Sequence, residues 1–166
     1  MEKSINASPL SDKDSGIKGF HAESALSFLG EGSKTASVSS DRLKTYSPLS
    51  FAYIGDAVYE VVIRTCIVAK YNTKADNYHR ETIQYVNAAA QRRIMERMEP
   101  FLTVGERKVY RRGCNARPAT TAKNQSRHDY RIATGFETLI GYLYLSGEIE
   151  RIFELVFSGL EDIAQT

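Results

Sequence analysis

Two acidic residues sit in company where a carboxylate is expensive. Asp56 lies in Ala52-Tyr53-Ile54-Gly55-Asp56-Ala57-Val58, and Glu137 lies in Gly135-Phe136-Glu137-Thr138-Leu139-Ile140-Gly141. Both stretches are strongly apolar, and an ionised carboxylate placed there loses hydration unless something compensates it. Each acid also has a helix-disfavouring glycine close by, Gly55 just before Asp56 and Gly141 one turn after Glu137. Glycine lets two helices approach closely, which would bring the two acids together. Adjacent carboxylates repel and raise each other's pKa unless a cation lies between them. A hard divalent ion with oxygen ligands answers that need, and magnesium takes few carboxylates while keeping its waters. The simpler reading is also open at this point: acids on amphipathic helices commonly face water.

The other charge feature is basic. Between Val104 and Arg131 stand Arg107, Lys108, Arg111, Arg112, Arg117, Lys123, Arg127 and Arg131, opposed only by Glu106 and Asp129, a local net of +6 in a chain whose formal net charge is +2. Such a cluster is a candidate phosphate-binding surface, or else a solvated loop. Glu60, one turn after Asp56, can share its face or pair with Arg64 at i+4. His79 is a candidate acid–base group or a plain packing residue. There is no Ser-His-Asp arrangement and no Gly-rich phosphate loop. Cys66 and Cys114 form no CxxC pair, which speaks against zinc, and two free thiols suit a cytoplasmic protein.

The elements that must position these residues read as helices throughout, so the expected fold is all-α. Ser47-Pro48 has the form of an N-cap followed by proline at the first helical position, opening a helix to about residue 70. A second helix is expected over 76–85. A third, capped by Asn87, should run over 88–98 to a stop near Pro100. Thr103-Val104-Gly105-Glu106 fits a capping box for a helix to about residue 112, with Gly113 expected to end it. Residues 114–128 read as a long loop, of a length more often functional than merely connecting. Helices over 129–145 and 148–163 complete the chain, the last with Ile149, Ile152, Phe153, Leu155, Val156 and Leu160 on one face.

The 166 residues suffice for one domain with a real core. Residues 1–45 are Ser- and Gly-rich with scattered apolar positions, and the composition predicts a disordered tail preceding a domain over 46–166. A short helix over 21–29 is conceivable within it. Its serine content suggests a transit peptide, but Asp12, Asp14, Glu23 and Glu31 argue against one, and a lineage-specific extension is equally open. No apolar run is long enough for a membrane span.

Tyr53-Ile54-Gly55-Asp56-Ala57-Val58-Tyr59-Glu60 resembles the signature helix of the ribonuclease III family. Phe136-Glu137-Thr138-Leu139-Ile140-Gly141 resembles that family's second motif. The pair, in this order and about 80 residues apart, is specific where either alone is weak. The match is nearest to the family's Mini-III branch, a short form without a separate double-stranded RNA-binding domain. Arg112-Gly113-Cys114-Asn115-Ala116-Arg117 is similar to the branch's Arg-Gly-Arg-Asn-Ala-Lys loop, with Lys123-Asn124 and Tyr130-Arg131 following in place. His79 and Gln91 also match. The likeness covers about residues 47–155.

The resemblance implies an all-α endonuclease that acts as a homodimer on double-stranded RNA, with precursor large-subunit (23S) ribosomal RNA as substrate. It implies Asp56 and Glu137 as catalytic residues and Mg2+ ligands, and Arg112, Asn115, Arg117, Lys123, Asn124 and Arg131 as RNA-binding residues. Larger family members carry a further Glu and Asp where this chain has Ala52 and Thr134, a reduction shared by the Mini-III branch. Cys114 replaces an arginine of the branch pattern, which puts an RNA contact at that position in doubt. The alternative is a ribonuclease III fold without catalysis, serving as an RNA-binding or ribosome-associated protein. Retention of both Asp56 and Glu137 argues against it.

Overall fold

A computed structural model describes residues 38–116 and 126–160. Within them lie seven helices and one 3-10 turn. The helices are α1 (Ser40–Thr45), α2 (Pro48–Lys70), α3 (Ala75–Val86), α4 (Ala88–Met98), α5 (Val104–Cys114), α6 (Arg127–Leu145) and α7 (Ile149–Leu160), with the 3-10 turn Glu99–Phe101 between α4 and α5. No strand occurs among the described residues. The all-α expectation therefore holds.

The predicted caps form. Ser47 Oγ accepts from the Ser50 amide at 3.1 Å, and Asn87 Oδ1 accepts from the Ala90 amide at 3.0 Å. At α5 both halves of the capping box are made: Glu106 N donates to Thr103 Oγ1 at 3.2 Å, and Thr103 N donates to Glu106 Oε2 at 2.7 Å. These bonds satisfy amide donors that the helix itself cannot. After α6, Gly147 adopts φ 81°, and the Glu148 and Gly147 amides return to Leu143 O and Tyr144 O at 2.9 and 3.0 Å. This is a Schellman closure, for which glycine is suited because a side chain is disfavoured at that φ.

α2 and α6 cross at the centre, and the others pack around them. Phe51, Tyr59, Ile63, Cys66 and Ile67 of α2 are buried, as are Phe136, Leu139, Ile140 and Leu143 of α6. The Tyr59 and Phe136 rings meet edge to face with centroids 4.8 Å apart. The Tyr59 hydroxyl donates to Tyr85 O at 2.9 Å, so this buried polar tip is satisfied. The predicted apolar face of α7 closes the core, with Ile152, Phe153, Leu155 and Val156 buried.

Three expectations need adjustment. Gly113 does not end α5, which continues to Cys114. A Cβ at Gly113 would meet the Thr138 side chain and come within 2.8 Å of Gly135 Cα. This glycine serves close helix packing, not a turn. α6 starts two residues early, because Ser126 caps it through the Asp129 amide at 3.5 Å. Residues 38–45, which composition groups with the tail, carry α1: Leu43 is buried and the Val38 amide donates to Leu145 O at 2.7 Å. One apolar residue and one backbone bond leave little signature in composition. The possible helix over 21–29 and the end of the last helix beyond residue 160 lie outside the described residues.

Candidate active site

The approach of α2 and α6 is set by glycine on both sides. A Cβ on Gly55 would collide with the Glu137 carbonyl and lie 2.7 Å from the Gly141 nitrogen. A Cβ on Gly141 would collide with the Phe51 carbonyl and lie 3.0 Å from the Gly55 nitrogen. The helices therefore touch backbone to backbone at the step where the two acids leave them.

Asp56 and Glu137 line one open pocket of about 420 Å³, together with Ala52, Tyr53, Tyr130 and Thr134. Ala52 and Thr134 are buried, and the Thr134 hydroxyl donates to Tyr130 O at 3.0 Å. Ala52 and Thr134 are thus walls of this pocket. Asp56 stands at the exposed rim, while Glu137 is deeper. Burial pushes the Glu137 carboxyl up to about 7, with the Asp56 charge adding to the effect. Asp56 is raised too, by burial first and by Glu60 second. Each acid is therefore penalised for being charged.

One residue counters this. The Gln91 side chain, 1% exposed, favours the charged form of Glu137, yet its amide nitrogen lacks a hydrogen bond of regular geometry. The sequence held a signal for it: Gln91 occupies the same face of α4 as the buried Ile94, Met95 and Met98, an unusual place for an amide.

Two carboxylates lining one pocket from two helices, repelling and only partly compensated, suit a hard divalent cation whose remaining ligands are water or substrate oxygens. Among the described residues no three His, Cys, Asp or Glu side chains gather into a fuller ligand set. Glu60 pairs with Arg64 at 2.9 Å, as the i+4 spacing predicts. His79 is exposed on α3 and does not line the pocket.

The RNA-binding expectations divide. Arg112 and Asn115 are exposed at the end of α5. Arg131 turns back onto that end, donating to Cys114 O at 3.0 Å and to Asn115 Oδ1 at 3.2 Å. It braces the start of the loop. Arg117, Lys123 and Asn124 lie outside the described residues. The basic count along the chain also includes a residue with a structural partner, since Arg107 pairs with Glu99 at 3.1 Å.

Comparison with known proteins identifies the family and the fold. A family model described as "Ribonuclease III domain" matches residues 49–148. The chain is 50% identical over 115 residues to a Mini-ribonuclease 3 of Clostridium tetani (strain Massachusetts / E88), covering 69% of this chain and 76% of that one. It is 44% identical over 126 residues to a Mini-ribonuclease 3 of Thermoanaerobacter sp. (strain X514), covering 76% and 89%. A crystal structure of a Fusobacterium nucleatum protein superimposes with a TM-score of 0.63 at 26% identity, over 68% of this chain and 92% of that one.

Proposed function

Since the chain belongs to the ribonuclease III family, as an endoribonuclease of the Mini-ribonuclease 3 kind, we propose that it cuts double-stranded RNA with Mg2+ held by Asp56 and Glu137. The observation that carries the assignment is the shared pocket, which Asp56 and Glu137 both line where α2 and α6 touch backbone to backbone. A divalent ion there would lower the pKa of a bound water and offset charge at the scissile phosphate. Asp56 at the rim and Glu137 in the depth would hold it from two sides. Gln91 would keep the Glu137 carboxylate turned into the pocket. Arg112 and Asn115, with Arg117, Lys123 and Asn124 beyond them, would hold the backbone, reading duplex shape more than sequence.

The homodimer reading is supported by an apolar groove of about 260 Å³ on the outer side of α2, lined by Ile54, Ala57, Val58, Val61, Tyr144 and Phe153. Tyr53, Val61 and Val68 are exposed along the same helix. A second copy across this face would give one acid pair per strand of a duplex, matching two-fold enzyme to two-fold substrate. Light scattering should report a dimer at micromolar concentration, and a monomer would overturn this part.

Precursor 23S ribosomal RNA is the substrate suggested by the Mini-III resemblance. A cytoplasmic location fits the free thiols of Cys66 and Cys114. No helix among the described residues is long and apolar enough to cross a membrane. The deciding experiment incubates the protein with duplex RNA, with and without Mg2+. Metal-dependent cuts leaving 5′-phosphates are expected, whereas binding without cutting would establish an inactive RNA-binding protein.

A further inference from the structure

The start of α2 and the exposed side of α5 form the walls of a second groove, of about 810 Å³. Ser47, Pro48 and Leu49 make one wall, and Lys108, Arg111, Arg112 and Asn115 the other. The three cations are exposed, and none has an acidic partner among the described residues. Their neighbours on the same helix behave otherwise: Arg107 is paired with Glu99, and Glu106 is taken by Arg151 at 2.8 Å. Three like charges left together on one face repel, an arrangement that favours an anion between them.

The groove adjoins the acidic pocket, with Leu49 lining both. Pro48 lies eight residues before Asp56 on one helix, about 12 Å along its axis. The acid pair by itself repels a polyanion. A cationic groove that adjoins the pocket at Leu49 supplies the opposing attraction, and the N-terminal end of the 23-residue α2 adds its positive dipole.

We propose that Lys108 and Arg111, with Arg112, form a rigid docking groove for RNA backbone phosphates a few nucleotides from the bond at Asp56 and Glu137. This rests on the endoribonuclease reading above and extends it to two residues on a helix, outside the loop that follows. Because the groove holds phosphates away from the reacting atoms, it contributes uniform binding. Its loss should therefore raise KM and leave kcat intact.

The test compares the wild-type chain, the double variant Lys108→Ala/Arg111→Ala, and Arg107→Ala as a control on the same helix. Steady-state cleavage of one RNA hairpin and anisotropy binding without metal are measured from low to moderate salt. The double variant should raise KM roughly tenfold at moderate salt with kcat unchanged. It should also flatten the slope of log affinity against log salt by about 2, if B-form DNA values transfer to duplex RNA. Circular dichroism confirms that it is folded. An unchanged KM and salt slope in a folded double variant, with the wild type cutting normally, overturns the groove and spares the enzyme reading. A loss of kcat at saturating RNA also overturns it as a docking site. Failure of the wild type to bind or cut duplex RNA overturns the enzyme reading, and the groove falls with it.

Discussion

The two charged regions of this protein are held in opposite ways. The acids stand where α2 and α6 touch backbone to backbone, and the fold enforces their closeness against their own repulsion. Lys108, Arg111 and Arg112 of α5 stand on an open surface with no acidic partner among the described residues. In the first region the packing makes the site, and electrostatic discomfort is its mark. In the second the helix supplies only a platform, and what marks the site is the lack of compensating charge. The first should respond to substitution by losing chemistry or fold, the second by losing affinity.

The largest effect should follow from removing the acids. Asp56→Asn or Glu137→Gln should lower single-turnover cleavage at least about a thousandfold, roughly 4 kcal/mol of transition-state stabilisation. Folding should survive, because each change removes a penalised charge. A variant that still cuts near the wild-type rate would dissolve the distinction between the two regions.

The helix contact should come next. Gly141→Ala places a methyl group against the Phe51 carbonyl, a backbone atom that cannot turn aside. We expect a loss of about 3 kcal/mol in urea unfolding, together with lost cleavage as the acids separate. Gly105→Ala is the matched control, since a Cβ there meets nothing nearer than 4.0 Å. If both glycines tolerate alanine equally, the enforced crossing is not what positions the acids.

A smaller effect concerns pH in the absence of metal. The folded Glu137 pKa, about 7, lies above the ordinary glutamate value of 4.5. A carboxyl raised on folding binds its proton more tightly in the native state. Its stabilising contribution is therefore full below about pH 4.5 and is lost as pH rises through 7. Unfolding free energy should fall by roughly 3 kcal/mol across that window, from the size of the shift. Glu137→Gln should remove the fall, and added Mg2+ should oppose it by binding the ionised form. A wild-type profile identical to that of Glu137→Gln would show that the acid is not penalised. Gln91→Leu should steepen the fall, because it removes the one group that favours the charged carboxylate.

How much of this was legible in the sequence follows the same division. The helices were legible because their ends carry local chemistry: Ser47-Pro48, Asn87, and Thr103 with Glu106. The approach of the two acids was partly legible: Gly55 and Gly141 beside Asp56 and Glu137 in apolar surroundings point to a close helix contact, but acids facing water fit the same residues, and the paired motifs of the ribonuclease III resemblance were what singled these two out. Gly113 misled, since a glycine late in a helix pattern reads as a stop and only the facing Thr138 and Gly135 reveal it as a packing position. Lys108 and Arg111 were visible as charges but not as a groove, because Leu49 lies about 60 residues away in the chain. Nor does a run of cations say which are spoken for. Arg107 and Lys108 are adjacent in sequence and opposite in circumstance.

That last pair offers the finest test of the comparison. Arg107 donates to Glu99 Oε1 at 3.1 Å and to Glu99 O at 2.9 Å, tying α5 to the 3-10 turn before it. Its charge is already answered, and answered locally. Arg107→Ala should therefore cost stability by about 0.5–1 kcal/mol, the range of a partly exposed pair with a backbone bond added. It should leave the salt slope of RNA binding unchanged. Lys108→Ala, one residue on, should do the reverse: unfolding within about 0.5 kcal/mol of wild type, with a slope flatter by about 0.9 if the B-form DNA value transfers. Two substitutions of one basic residue each, side by side on one helix, would then separate a charge that holds the fold from a charge that holds RNA. Equal effects of both on the salt slope would mean that only the summed charge of α5 matters, and that pairing within the fold does not decide which cations meet the substrate.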